Sequence, residues 1–129
     1  MEYRELGRTG WKVSAISTGT WAMGSLWGKV NESESLAALN KALDLGVNFF
    51  DTADVYGSEY LLAKLRKQRR EPFYVATKLG RGANPGENGY SRKSMTAFIE
   101  NSLRELQVDT IDLIQLHCPP ITVFTAETF

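Results

Sequence analysis

The sequence holds one cysteine and one histidine in 129 residues. A lone Cys118 cannot close an internal disulfide, which fits a reducing compartment. With one nitrogen and one sulfur ligand, the four donors of a structural zinc site cannot be assembled, and no metal is expected. Neither sign of charge is in excess, since fifteen Lys and Arg balance fifteen Asp and Glu. That balance offers no electrostatic footprint for nucleic acid or an anionic membrane, and it leaves a small molecule as the expected partner. No apolar run approaches the roughly 20 residues of a spanning helix, and the start Met1-Glu2-Tyr3-Arg4 lacks the apolar segment of a secretion signal. These absences predict a cytoplasmic protein.

What is present is ordinary globular usage. A hydrophobic share of 43% and a charged share of 23% argue against disorder and fibrous repeats. The length suits one folded unit over 1–129 and is too short for two.

Punctuation along the chain alternates strand and helix signals. Gly7 and Gly10 separate a Tyr3–Leu6 run from a Val13–Ile16 run, as in a β-hairpin. Ser14 to Thr20 reads as a strand, followed by a glycine-containing loop from Met23 to Val30. Asn31, with Glu34 three residues on, predicts a capped helix in which Leu36, Leu39 and Leu43 share a face before Gly46 stops it. Val47–Phe50 is a second strand that ends at acids. Ser58-Glu59 predicts the cap of a second helix with Leu61, Leu62 and Leu65 on its buried face; its run of basic residues suits a solvated face and a helix C-terminus.

Phe73–Thr77 is a third strand, leading into Lys78 and a loop from Gly80 to Gly89. That loop lacks the Gly-Lys-Ser/Thr ending of a phosphate-binding loop. Ser91 opens a third helix with a Met95, Phe98, Ile99, Leu103 and Leu106 stripe. Thr110–Leu116 forms a fourth strand ending at His117, and Thr125–Phe129 reads as the cap and first turn of another helix. Such βα repetition predicts a parallel α/β sheet with right-handed crossovers. Its closed form, the TIM-type (β/α)8 barrel, takes about 250 residues, so an N-terminal hairpin and the first four βα units are expected here.

Barrel enzymes carry their chemistry at the C-terminal ends of strands, where this chain delivers Asp51, Lys78 and His117, with Tyr56 five residues past Asp51. Tyrosine titrates near 10, so its use as a proton donor near neutrality requires a cation against the phenol. Lys78 can supply it, Asp51 can hold Lys78, and His117 can hydrogen-bond a carbonyl oxygen under reduction. Taken singly, Asp51 reads as a cap, Lys78 as a surface charge and His117 as a satisfied core residue. Their convergence at one end of the sheet favours catalysis.

Gly19-Thr20-Trp21, Asn48-Phe49-Phe50-Asp51-Thr52-Ala53-Asp54-Val55-Tyr56-Gly57, Ala76-Thr77-Lys78 and Asp112-Leu113-Ile114-Gln115-Leu116-His117 closely resemble, in order, motifs of the aldo-keto reductases. The resemblance spans essentially the whole chain. It implies an NADPH-dependent oxidoreductase that reduces aldehydes or ketones, with Asp51, Tyr56, Lys78 and His117 as the catalytic set and Tyr56 as general acid. It places Gly19, Thr20, Trp21 and Asp51 at the cofactor and substrate pocket, and the hairpin at the barrel floor. The Tyr56–Glu59 loop is shorter than in many relatives.

Trp21 is assigned to the pocket and Trp27 to ordinary packing; Cys118 is read as structural and Asp54 as a loop acid. A rival reading makes the chain a non-catalytic, cofactor-binding regulatory subunit or a structural half-barrel. Open strand edges in half a barrel also predict self-association and weak NADPH binding.

Overall fold

A computed structural model describes residues 1–24, 28–83 and 88–124. Two short strands, β1 (Tyr3–Glu5) and β2 (Lys12–Ser14), pair antiparallel as the expected hairpin. Gly7 and Gly10 take positive φ in its turn, which Leu6 N–H closes by donating to the Trp11 carbonyl at 2.9 Å.

Four parallel strands follow in the order β3 (Thr18–Gly19), β4 (Phe49–Asp51), β5 (Tyr74–Leu79) and β6 (Leu113–Leu116). Among the described residues, three α-helices alternate with them: α1 (Glu32–Asp44), α2 (Glu59–Gln68) and α3 (Arg92–Leu106). Strand order follows chain order, the serial arrangement from which a (β/α)8 barrel is built. The helix expected from Thr125 onward lies outside the described residues.

Strand bounds differ from the sequence reading for local reasons. β3 is only two residues long, because Ser14 closes β2 instead, paired with Tyr3; its N–H donates to Asn48 Oδ1 at 2.7 Å and its hydroxyl to the Ile16 carbonyl. β5 runs two residues further than expected, so Lys78 lies within the strand, paired in register with Gln115. β6 starts late because Asp112 is engaged elsewhere, accepting from Val75 N–H and from Arg66.

Alternation along the strands sends Phe50 and Val75 toward the helices, where they meet Leu39, Leu61, Leu62 and Leu65 in one core. Asp51, Ala76 and Lys78 occupy the opposite face. The hairpin packs at the N-terminal ends of β4 and β5: Asn48 Nδ2 donates to the Lys12 carbonyl, and the Trp11 and Tyr74 rings stack at 4.6 Å. The N-terminal end is thereby covered, and the C-terminal ends of the strands carry Asp51, Lys78 and His117.

α1 is capped as expected, with Asn31 Oδ1 accepting from Ser33 N–H. Ser58 holds the equivalent place before α2 but does not cap it. Its hydroxyl instead lies 2.8 Å from that of Thr20 and 3.2 Å from that of Thr52, all three fully buried.

Candidate active site

β4 ends at Asp51, and the chain then forms a 3-10 turn over Asp54–Tyr56 that Gly57 closes in the left-handed region at φ 64°. This turn brings Tyr56 back over the sheet. Lys78 Nζ donates to Asp51 Oδ1 at 2.5 Å and to the Thr52 carbonyl at 2.8 Å. Lys78 is mostly enclosed, its side chain 16% exposed. Its approach to Tyr56 is to the ring, with Nζ 5.1 Å from the centroid, a cation-π distance. The Tyr56 and His117 rings meet edge to face at 5.6 Å. Asp51, Tyr56, Lys78 and His117 therefore share one site, linked by the Asp51–Lys78 ion pair and by two contacts to the Tyr56 ring.

His117 extends the β5–β6 ladder by one bond, its N–H donating to the Leu79 carbonyl at 2.8 Å. The residue is buried, and burial holds its imidazole below the ordinary value of 6.5, assisted by the positive charges of Lys78 and Arg81 and opposed by Asp51. The ring is thus kept neutral near pH 7. Nδ1 is buried and has no hydrogen-bond partner among the described residues.

Trp21 opens a 3-10 turn directly after β3, half exposed, with its ring 6.2 Å from that of Tyr56. Gly19 is exposed at the end of β3. Thr20 between them is fully buried and serves from behind: its N–H and hydroxyl both donate to the Asp51 carbonyl, at 2.9 and 3.2 Å. Trp27 lies outside the described residues.

Two residues near this site, Gly24 and Arg81, carry no functional signal in the sequence, and a third, Glu59, reads there only as part of a helix cap. At Gly24 a Cβ would fall 1.6 Å from the Tyr56 carbonyl oxygen, so only glycine lets the two loops pass. Arg81 lines a cavity of about 650 Å³ with Asn88, Tyr90 and Thr122. Buried Glu59 accepts from the Thr77 hydroxyl at 2.6 Å, and burial raises its carboxyl above the usual range.

Asp54 opens the 3-10 turn of the loop, its Oδ1 accepting from Val55 N–H at 2.8 Å, and burial raises its carboxyl above the usual range. Cys118 is exposed rather than packed, with φ 55°. No group of three or more potential metal ligands occurs among the described residues, and none of their helices is long and apolar enough to cross a membrane.

The model of the aldo/keto reductase family matches residues 15–129. The chain belongs to this family. It is 39% identical over 123 residues to L-galactose dehydrogenase of Arabidopsis thaliana, covering 91% of this chain and 38% of that protein. A probable voltage-gated potassium channel subunit beta of Oryza sativa is 35% identical over 135 residues, with 99% and 40% covered. The holo form of aldo-keto reductase AKR11C1 from Bacillus halodurans superposes with a TM-score of 0.82 at 33% identity, covering 99% of this chain and 44% of that one. The chain thus spans about two fifths of the length of these relatives. Family and fold agree with the sequence reading, a TIM-type barrel represented by its hairpin and parallel βα units.

Proposed function

We propose that this site reduces an aldehyde or ketone to an alcohol, with Tyr56 as general acid. The observation that carries the reading is the shared position of the Asp51–Lys78 pair, Tyr56 and His117 at the C-terminal end of the sheet. NADPH supplies the hydride when bound, and the half-exposed Trp21 ring beside Tyr56 gives the flat apolar surface that a nicotinamide needs. Gly19 and Asp51, paired in register across β3 and β4, are proposed for the same pocket, with the Thr20 hydroxyl donating to the Asp51 carbonyl beneath them.

As the carbonyl carbon is reduced, negative charge grows on its oxygen. Neutral His117 offers that oxygen an N–H, and Tyr56 transfers its hydroxyl proton to complete the alcohol. Lys78 stabilises the tyrosinate left behind, and Asp51 keeps Lys78 charged and fixed. A proton from solvent then restores Tyr56.

Tyr56→Phe tests this reading. It removes the proton and leaves the ring, so we expect carbonyl-dependent NADPH oxidation to fall by about 100-fold or more while NADPH affinity changes by less than about twofold. Near-normal kcat in that variant would remove Tyr56 from the role. Similarity to the channel subunit favours a second reading, cofactor binding for regulation. Tight NADPH binding without turnover of any carbonyl compound would favour that alternative.

A further inference from the structure

A polar contact outside the four residues above reaches the backbone of His117. The ladder between β5 and β6 ends there, because Cys118 enters the left-handed region at φ 55° and Pro119 follows. The His117 carbonyl has no strand partner among the described residues, and the Tyr90 hydroxyl donates to it at 2.6 Å. Tyr90 lies far away in sequence, immediately before the Ser91 cap of α3.

The seat of Tyr90 is built into two loops. At Gly80, where φ is 100°, an added Cβ would fall 2.2 Å from the Tyr90 ring, and at Gly89 it would fall 2.1 Å from the Gly80 carbonyl oxygen. Absence of two side chains thus presses the 80 and 89–90 segments together and lays the tyrosine ring on the backbone. Burial also raises the Tyr90 pKa, so the hydroxyl remains a donor through neutral pH.

The imidazole needs this support. A functional histidine is ordinarily oriented by a hydrogen bond at its second ring nitrogen. Here Nδ1 is buried with no such partner among the described residues, and the imidazole meets the Tyr56 ring at right angles. What is held is the backbone from which the ring departs: its N–H donates to Leu79 and its carbonyl accepts from Tyr90, and together these set the direction of the His117 Cα–Cβ bond.

We propose that Tyr90 is a positioning residue for His117, its hydroxyl clamping the His117 carbonyl and thereby aiming the imidazole at the site shared with Tyr56 and Lys78. The catalytic importance of that aim rests on the reductase reading; the clamp itself does not. Misplacing a catalytic group by about 1 Å can cost 100-fold in rate, so a small rotation suffices.

Tyr90→Phe keeps the ring on Gly80 and removes only the hydroxyl. His117 is the sole histidine of the sequence, so imidazole NMR signals report on it alone. In the protein carrying Tyr90→Phe we expect those signals to shift and broaden, and the titration midpoint to rise toward the ordinary value as water reaches the ring. Carbonyl reduction should lose about tenfold in kcat with the KM for NADPH unchanged. Unchanged imidazole signals and midpoint would overturn the clamp, whatever the turnover. A changed imidazole in a protein with no turnover in either form would overturn the reductase reading and uphold the clamp. If the variant fails to fold, the wild type decides. A hydrogen–deuterium isotope shift on the His117 carbonyl carbon supports the bond, and its absence refutes it.

Discussion

At the scale of single residues, the chemistry of the site depends on which protons are held. His117 has its pKa lowered first by burial and then by Lys78 and Arg81. The unfolded chain takes up a proton near 6.5 that the folded protein refuses. Stability from this residue is therefore complete above that pH and is lost as pH falls toward the lower folded value. Replacing Arg81 by Ala removes one of the two positive charges and leaves burial intact. The His117 midpoint should rise, read by NMR titration; an unchanged or lowered midpoint would show that Arg81 does not act on the imidazole. The influence of Arg81 on His117 was invisible in the sequence, where Gly80-Arg81-Gly82 is simply a turn-rich stretch.

Among the elements, the junctions explain more than the interiors. The helical stripes of α1 and α2 were legible because leucines recur at the helical period, and their leucines do pack on the sheet. Serine often fills the cap position and the sequence predicts that place for Ser58, yet its hydroxyl ties the ends of β3 and β4 through Thr20 and Thr52. No local pattern distinguishes these fates, since a cap bond is local and this one spans 38 residues. Ser58→Ala leaves the buried Thr52 hydroxyl without its partner. We expect a loss of about 1–3 kcal/mol in denaturant unfolding. Adding Thr52→Val should cost much less than the two single losses summed, because the second change removes the orphaned group. Strict additivity of the two losses would mean that the hydroxyls are not coupled.

For the whole molecule, the decisive contacts are those that bring α1, α2 and the sheet together. Leu62 is fully buried in that core, whereas Leu45 at the end of α1 is 60% exposed. Leu62→Ala should cost about 2–5 kcal/mol through lost burial and a residual cavity. Leu45→Ala should change stability by less than about 0.5 kcal/mol. Equal effects in a denaturant titration would contradict the assignment of the core. The open strand edges expected from the sequence belong to the same scale: β3 and β6 are the outer strands of the four-stranded sheet, and Ile114 on β6 is 39% exposed.

The sequence alone determined the order of strands and helices, because hydrophobic period, caps and glycine stops are local signals carried by neighbouring residues. It also placed Asp51, Tyr56, Lys78 and His117 near strand ends, since strand polarity follows from the βα alternation. Tertiary structure decided what those side chains touch. Lys78 reaches the Thr52 carbonyl as well as Asp51, Gly24 admits the Tyr56 backbone, and Tyr90 bonds the carbonyl of a histidine 27 residues away. Each of these depends on two segments distant in sequence meeting within a few ångströms, and no periodicity within either segment encodes the meeting.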